Sequence, residues 1–410
     1  MDFDLSEQQV AMVDNLRRYL DAAYGFEQRR QYAQSPRGYH AAAWQTYAEM
    51  GLLAIPFAEA DGGLGGSMVD VMLIMRTLGA HLALEPYLST VVLGGSVLRQ
   101  AGSAARRREL LSAVAQGRLT LALAHLEPGD RHGDGAVATR ARPDGDHYRI
   151  SGHKTVVLDA PSAQLLIVSC RLDQNGASPP DALRGSTPEA LHAAMPREGP
   201  VCLFLVDLRA AGVTLRTYPT HEGTRAADVL LDQVVVEASA MLGPAGSGRT
   251  VLAQCIDEAN VALCSEAVGI MQALNAATLE HVRTRRQFGA PLASFQVIQH
   301  RMADMAVAAE QADAITTLAA ARIGHAPAAD RLRLVSAAKA LVCQQARHVG
   351  QQAVQLHGGM GLTDELATAH LFKRLSLIGQ TFGDADHHLA RFAATLSQSG
   401  PAGRASVAAW

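Results

Sequence analysis

Two short runs in the last third of the chain carry side chains suited to a flat, phosphate-bearing cofactor. The first is Arg285-Arg286-Gln287-Phe288-Gly289, followed by Phe295-Gln296. A guanidinium such as that of Arg285 forks onto phosphate oxygens through parallel hydrogen bonds. The Gln287 amide can donate to the same oxygens, and the Phe288 ring can cover a planar group. The second run is Gln355-Leu356-His357-Gly358-Gly359-Met360-Gly361. Glycines at a helix end, here Gly358 and Gly359, let the backbone approach a ring or a phosphate closely. Both runs have a plainer reading. An arginine in the last turn of a helix complements the helix dipole, and Gly289 with Pro291 would end that helix. A Gly-terminated helix accounts equally well for 355–361.

Other titratable or glycine-rich stretches offer less. Asp386 with His387-His388 could be read as metal ligands. Two adjacent histidines do not easily share one ion and no further ligand cluster is visible, so no metal is expected. Glu266 lies on a small-residue helix face and reads as a structural carboxylate. Asp61-Gly62-Gly63-Leu64-Gly65-Gly66 lacks both the Lys-Ser/Thr of a phosphate loop and a preceding strand. It reads as a tight loop between helices.

The elements that must position these residues fall into three blocks. Residues 1–117 read as an all-α domain. Ser6 and Gln9 form a capping-box signature, and the helical pattern that follows runs to about Arg30. Further helices are expected at about Gly38 to Met50, Ser67 to Leu78, Glu85 to Ala101 and Ala104 to Gln116. Residues 118–240 read as a β-barrel or sandwich of short strands with turns between them. Strands are expected at Thr120 to His125, Ala136 to Ala141, His147 to Ser151, Val156 to Leu158, Gln164 to Cys170, Val201 to Asp207, Val213 to Tyr218 and Val229 to Val236. An insertion at about 174–200 has no strand pattern and one short helix, Thr187 to Met195. Residues 241–398 read as an antiparallel helical bundle, with helices at about Arg249 to Arg286, Phe295 to Ile323 and Ala329 to Leu356 and shorter ones at Glu365 to Leu377 and Ala385 to Gln398. On the third helix, Val335, Ala338, Val342, Ala346, Val349, Ala353 and Leu356 recur in steps of three and four, marking one buried stripe. A polar tail, 399–410, closes the chain.

Composition bounds the function. A chain of 410 residues is too long for one core. Hydrophobic content of 48% with 18% charged residues suits a soluble globular protein. A net charge of -3 offers no broad basic surface, so nucleic acid is not an expected partner. No apolar run reaches the ~20 residues of a membrane span, and the acidic start lacks a signal peptide's pattern. Five scattered cysteines without a C-x-x-C pair fit buried thiols in a cytoplasmic protein.

The order α, β, long-helix bundle, together with R-R-Q-F-G-x5-F-Q and Q-x-x-G-G-x-G, resembles the acyl-CoA dehydrogenase flavoproteins. The resemblance covers nearly the whole chain apart from the insertion and the last dozen residues. It implies the acyl-CoA dehydrogenase fold, with a C-terminal four-helix bundle, and FAD as cofactor. It places Arg285, Gln287 and Phe288 on the FAD of a neighbouring subunit and Gln355 and Gly359 at the adenosine half, with Gln296 and Gly358 as further cofactor-binding residues. It also implies α,β-dehydrogenation of an acyl-CoA to the trans-2-enoyl-CoA, with electrons passed to an electron-transfer flavoprotein.

Several positions depart from the family pattern. Leu126, Val156 and Leu158 stand where polar or aromatic contacts to the flavin ring are usual. The base is often the Glu of a Tyr-Glu-Gly-Thr turn; here Gly383 falls there, followed by Asp384. A second family group places the Glu on the long helix, where this chain has Ala259 beside Glu258. Asp384 is the base expected from this match. It equally suits an Asp at a helix N-terminus. The runs around Phe382-Gly383-Asp384-Ala385-Asp386-His387-His388, Tyr24-Gly25-Phe26 and Glu85-Pro86-Tyr87 are similar to small subunits of bacterial heteromeric acyl-CoA dehydrogenases, the pimeloyl-CoA type among them. That implies a large partner subunit in an α2β2 assembly, or a homo-oligomer, and a dicarboxylic or bulky acyl-CoA such as a sterol side chain. The alternatives are a non-catalytic partner completing a large subunit's FAD site, or a flavin oxidase or monooxygenase on the same fold.

Overall fold

Ser6 opens the first helix. Its hydroxyl accepts the Gln9 N–H at 3.2 Å, and the Gln9 side chain accepts the Ser6 N–H at 3.0 Å, the capping box expected from the sequence. The computed structural model describes residues 4–133, 135–173 and 199–398. The expected helix Thr187 to Met195 and the tail 399–410 lie outside them.

The N-terminal helices are α1 (Glu7–Ala23), α2 (Phe26–Gln34), α3 (Ala41–Glu49), α4 (Met68–Ala80), α5 (Gly95–Ala101) and α6 (Ala104–Ala115). One helix was expected to run to about Arg30, but the chain breaks at Tyr24-Gly25. Tyr24 leaves the helical region (φ -120, ψ 35) while its N–H still bonds the Leu20 carbonyl. The expected helix from Glu85 is also different: Tyr87–Gly94 is π-helical and passes into α5.

The middle strands are β1 (Leu121–Ala124), β2 (Arg140–Asp144), β3 (His147–Leu158), β4 (Leu165–Leu172), β5 (Val201–Asp207), β6 (Val213–Pro219), β7 (Arg225–Glu237) and β8 (Met241–Leu242). They form one sheet in the order β6-β7-β3-β2-β4-β5-β8, with β1 alongside β4. Ile150, Leu166, Val168, Phe204, Val206, Val229 and Leu231 fill its core. The stretch Val156 to Leu158 is the end of β3 and not a separate strand. A bulge precedes it, where Val156 has φ +50. That is a strained conformation for a β-branched residue. It is held by Asp228 Oδ1, which accepts the Val156 N–H (3.3 Å) and the Thr155 hydroxyl (2.8 Å).

The C-terminal helices are α7 (Gly248–Thr284), α8 (Gln296–Arg322), α9 (Ala328–His357), α10 (Ala367–Ile378) and α11 (Ala385–Gln398). All seven residues of the stripe anticipated on α9 are buried. The chain gathers into two compact units, one within 4–30, 67–83 and 260–398 and the other within 31–66 and 84–259. In the first unit α4 and α7 meet backbone to backbone: a Cβ on Gly269 would lie 1.9 Å from the Arg76 carbonyl oxygen. Gly269→Ala is therefore expected to destabilise the protein by about 1–3 kcal/mol, the range for overpacking. Urea unfolding measures it, and an unchanged midpoint would show that the two helices part freely. Glu266 in the same helix takes a bidentate pair from Arg374 (2.6 and 2.8 Å), the structural role anticipated for it.

Candidate cofactor corner and base

Helix α7 ends at Thr284, two residues before the end the sequence pattern predicts, because the next residues fold into a hairpin. Strand β9 (Arg286–Gln287) pairs antiparallel with β10 (Ala290–Pro291) across Phe288-Gly289. Both turn residues have positive φ, 51 and 81, as a type I′ turn requires. Asparagine or glycine usually occupies the first of these positions, so a phenylalanine there is costly. Phe288 is also 93% exposed, its ring perpendicular to that of Phe295 with 6.3 Å between centroids. Arg285, Gln287 and Gln296 are exposed beside it. Arg285 is anchored through its backbone, its N–H donating to the His281 carbonyl (2.8 Å) and its carbonyl accepting the Leu292 N–H (2.9 Å). The side chain is thus presented from a fixed base.

Helix α9 ends at His357. Gly358 then turns the chain at φ 65, ψ -149, a conformation close to glycine-only, and its N–H bonds the Gln355 carbonyl. A Cβ on Gly358 or Gly359 would meet nothing within 4 Å, so the backbone there faces open space. Gln355 is exposed, as are Met360 and Leu362.

The structure brings these two runs together. The His281 and His357 rings stack at 4.4 Å between centroids and 25° between planes. His281 was not singled out in the sequence. The signal for it is its place four residues before Arg285, which carries no chemistry until the partner ring is known.

Asp384 is held by its own helix start. It caps α11, its Oδ1 accepting the His387 N–H at 2.9 Å. The loop before it is fixed from below by Lys339, which is fully buried and donates to the Ile378 (2.8 Å) and Thr381 (3.0 Å) carbonyls. Phe382 and Gly383 follow with φ 56 and 106. A Cβ on Gly383 would sit 2.5 Å from His387 Cδ2 and 2.8 Å from His388 Nε2, so no larger residue fits as the loop stands. His388 Nε2 lies 3.0 Å from the Phe382 carbonyl, to which it must donate. Burial, and then the Lys339 charge, push the His388 pKa down to about 3, so it is neutral in the folded protein. Glu258, on the long helix, is committed to Arg99 at 2.5 Å.

The Leu126 carbonyl accepts the Thr155 N–H at 3.0 Å, tying the end of the β1 segment to the bulge at Val156.

The N-terminal domain model of acyl-CoA dehydrogenases matches residues 6–118, and the C-terminal domain model matches 246–396, between them well over half the chain. The chain belongs to the acyl-CoA dehydrogenase family. Acyl-CoA dehydrogenases are FAD-dependent oxidoreductases. Among curated relatives, the probable acyl-CoA dehydrogenase YngJ of Bacillus subtilis is 28% identical, over 80% of this chain and 83% of that one. Among solved structures, the Tcur3481–Tcur3483 steroid ACAD is 25% identical with a TM-score of 0.81, covering 96% of this chain and 98% of that one. The ChsE4–ChsE5 complex from Mycobacterium tuberculosis shares the fold, with a TM-score of 0.83 at 22% identity over 97% of this chain and 99% of that one.

Among the described residues, no helix is long and apolar enough to cross a membrane, and no group of three or more His, Cys, Asp or Glu is placed to hold a metal ion. The five cysteines are free and buried. Burial pushes the Cys170 and Cys264 thiols up to about 12, which makes them inert.

Proposed function

We propose that this chain is one subunit of a heteromeric FAD-dependent acyl-CoA dehydrogenase. It would act in the cytoplasm on a bulky or dicarboxylic acyl-CoA, forming the trans-2-enoyl-CoA and passing electrons to an electron-transfer flavoprotein. The observation that carries the reading is the Phe288 ring, 93% exposed on a turn that strains it. An exposed aromatic in a costly conformation, beside an outward-facing guanidinium and two amides, fits a surface that a second chain and its cofactor cover. The donor chemistry suits FAD. Arg285 and Gln287 would offer donors to its pyrophosphate, Phe288 would cover a planar part of it with Gln296 nearby, and Gln355 with the open backbone at Gly358 and Gly359 would hold the adenosine half. FAD, when bound, supplies the acceptor for the hydride that leaves the β-carbon. Asp384 takes the α-proton onto its carboxylate, and the Lys339-anchored loop keeps that carboxylate in place. Relatives of the steroid ACAD type support a bulky substrate.

A second reading is favoured by the apolar side chains at Leu126, Val156 and Leu158 and by the capping role of Asp384. In it the chain completes a large subunit's FAD site and does no chemistry itself.

The test is the visible spectrum and native mass of the chain purified alone and co-expressed with a large acyl-CoA dehydrogenase-like subunit. Colourless or aggregated protein alone, and a yellow complex of fixed stoichiometry on co-expression, are expected. A yellow homotetramer from the single chain would overturn the shared-site reading.

A further inference from the structure

We infer that the stacked His281–His357 pair is a latch that sets the Arg285 hairpin and the Gly358-Gly359 turn at one fixed separation, making both histidines positioning residues for cofactor binding. The inference rests on the reading that these two runs hold FAD, and assigns a role to two side chains outside the motifs' donor set.

The geometry carries it. His281 sits in the last turn of α7, and its carbonyl receives the Arg285 N–H, so the ring and the start of the hairpin move together. His357 is the last residue of α9, next to Gly358, whose N–H bonds back to the Gln355 carbonyl. Each ring is therefore rigidly coupled to one run, and the 4.4 Å stack couples the runs to each other. His357 Nδ1 lies 2.8 Å from the Ala353 carbonyl. A carbonyl only accepts, so Nδ1 carries the hydrogen and the ring is held in one orientation.

Such a latch is sensitive to acid. Partial burial first, then the charges of His357 and Arg285, lower the pKa of His281 from its ordinary 6.5. His357 from α9 and Arg285 from its own helix end are the charged groups acting on it, and both disfavour a proton. The folded pKa lies below the unfolded one. The contribution of the stack is thus complete above about 6.5 and is lost as pH falls through the folded value. A proton on His281, with Arg285 beside it, would weaken the stack and separate the hairpin from the turn.

Two readouts on the full chain test this, one of which needs no cofactor. In hydrogen exchange, His281→Ala is expected to raise exchange in both 286–291 and 358–362, while His281→Phe keeps an aromatic stack and retains protection. As pH is lowered from about 8 through the ordinary histidine range and below it, after correction for intrinsic rates, the native chain should lose protection in both segments together. His281→Phe should not, because a phenyl ring keeps the stack and takes up no proton. In FAD titration of the co-expressed complex, His281→Ala is expected to weaken binding by about two- to tenfold, the size of an aromatic pair, with His281→Phe near native. Exchange that changes in one segment only, or in neither, overturns the latch. So does FAD affinity that rises toward acid pH, which would mark the rings as direct anion contacts. Coupled exchange in a protein that never binds FAD would leave the latch standing and sink the proposed function instead.

Discussion

Asp384→Asn is expected to lower turnover of the FAD-loaded complex by about 10²–10⁴-fold, the contribution of a general base, with FAD content and fold unchanged. The substitution isolates one property. Asparagine caps helices as well as aspartate does, and its carbonyl oxygen can still accept the His387 N–H that Asp384 Oδ1 holds at 2.9 Å. The loop remains pinned by Lys339 to the Ile378 and Thr381 carbonyls. What is lost is the ability to take a proton. Asp384→Ala would confuse the two roles, because losing the cap costs about 1 kcal/mol on its own. Single-turnover flavin bleaching with an acyl-CoA substrate, read beside the thermal midpoint, separates them. Native turnover in Asp384→Asn would leave the residue as a cap and favour the non-catalytic partner subunit. Replacing Gly383 with the glutamate of the family's turn is no substitute test, since a Cβ there collides with His387 and His388.

The helices of the bundle were legible because their signal is local and repeated. Seven apolar residues on α9 recur at helical spacing, and burial follows them one for one. The capping box at Ser6 and Gln9 is likewise a short-range pattern with a direct hydrogen-bond meaning. The hairpin after α7 was not legible. Arg285 to Gly289 continues a helical composition, and a type I′ turn beginning with phenylalanine carries none of the usual Asn-Gly signal. The break at Gly289-Ala290-Pro291 could be seen, but not that the preceding residues leave the helix first. The bulge at Val156 was hidden for a similar reason: valine favours strands, and what bends it is Asp228 from β7, far along the chain. The candidate site divides in the same way. Donor types and glycines were visible as composition, whereas the ring stack that joins the two runs depends on helix packing and has no sequence signature of its own.

Lys154→Met is expected to destabilise the protein by about 3–5 kcal/mol, because it strands a buried carboxylate. Lys154 is fully buried, and its Nζ donates to Glu127 Oε1 at 2.7 Å and Ser169 Oγ at 2.9 Å. Glu127, 3% exposed, also accepts the Ala138 N–H (2.7 Å) and the Thr139 N–H (2.9 Å). One carboxylate thus ties the segment after β1 to the chain entering β2 and, through Lys154, to β3 and β4. Burial alone would raise the Glu127 pKa, but the Lys154 charge and the donated hydrogen bonds outweigh it and hold the pKa below its ordinary 4.5. The folded value being the lower one, this stabilisation is complete above about 4.5 and is lost as pH falls through the folded pKa. Removing Lys154 takes away the main opposing charge, so Glu127 must protonate or remain unpaired. Glu127→Gln in the Lys154→Met background relieves that burden, and the double variant is expected to lose less than the two single losses combined. Urea unfolding of the four proteins at pH 7 measures the coupling. If Lys154→Met alone unfolds within about 1 kcal/mol of the native chain, the pair is not what holds these strands together, and the apolar core of the sheet carries that role by itself.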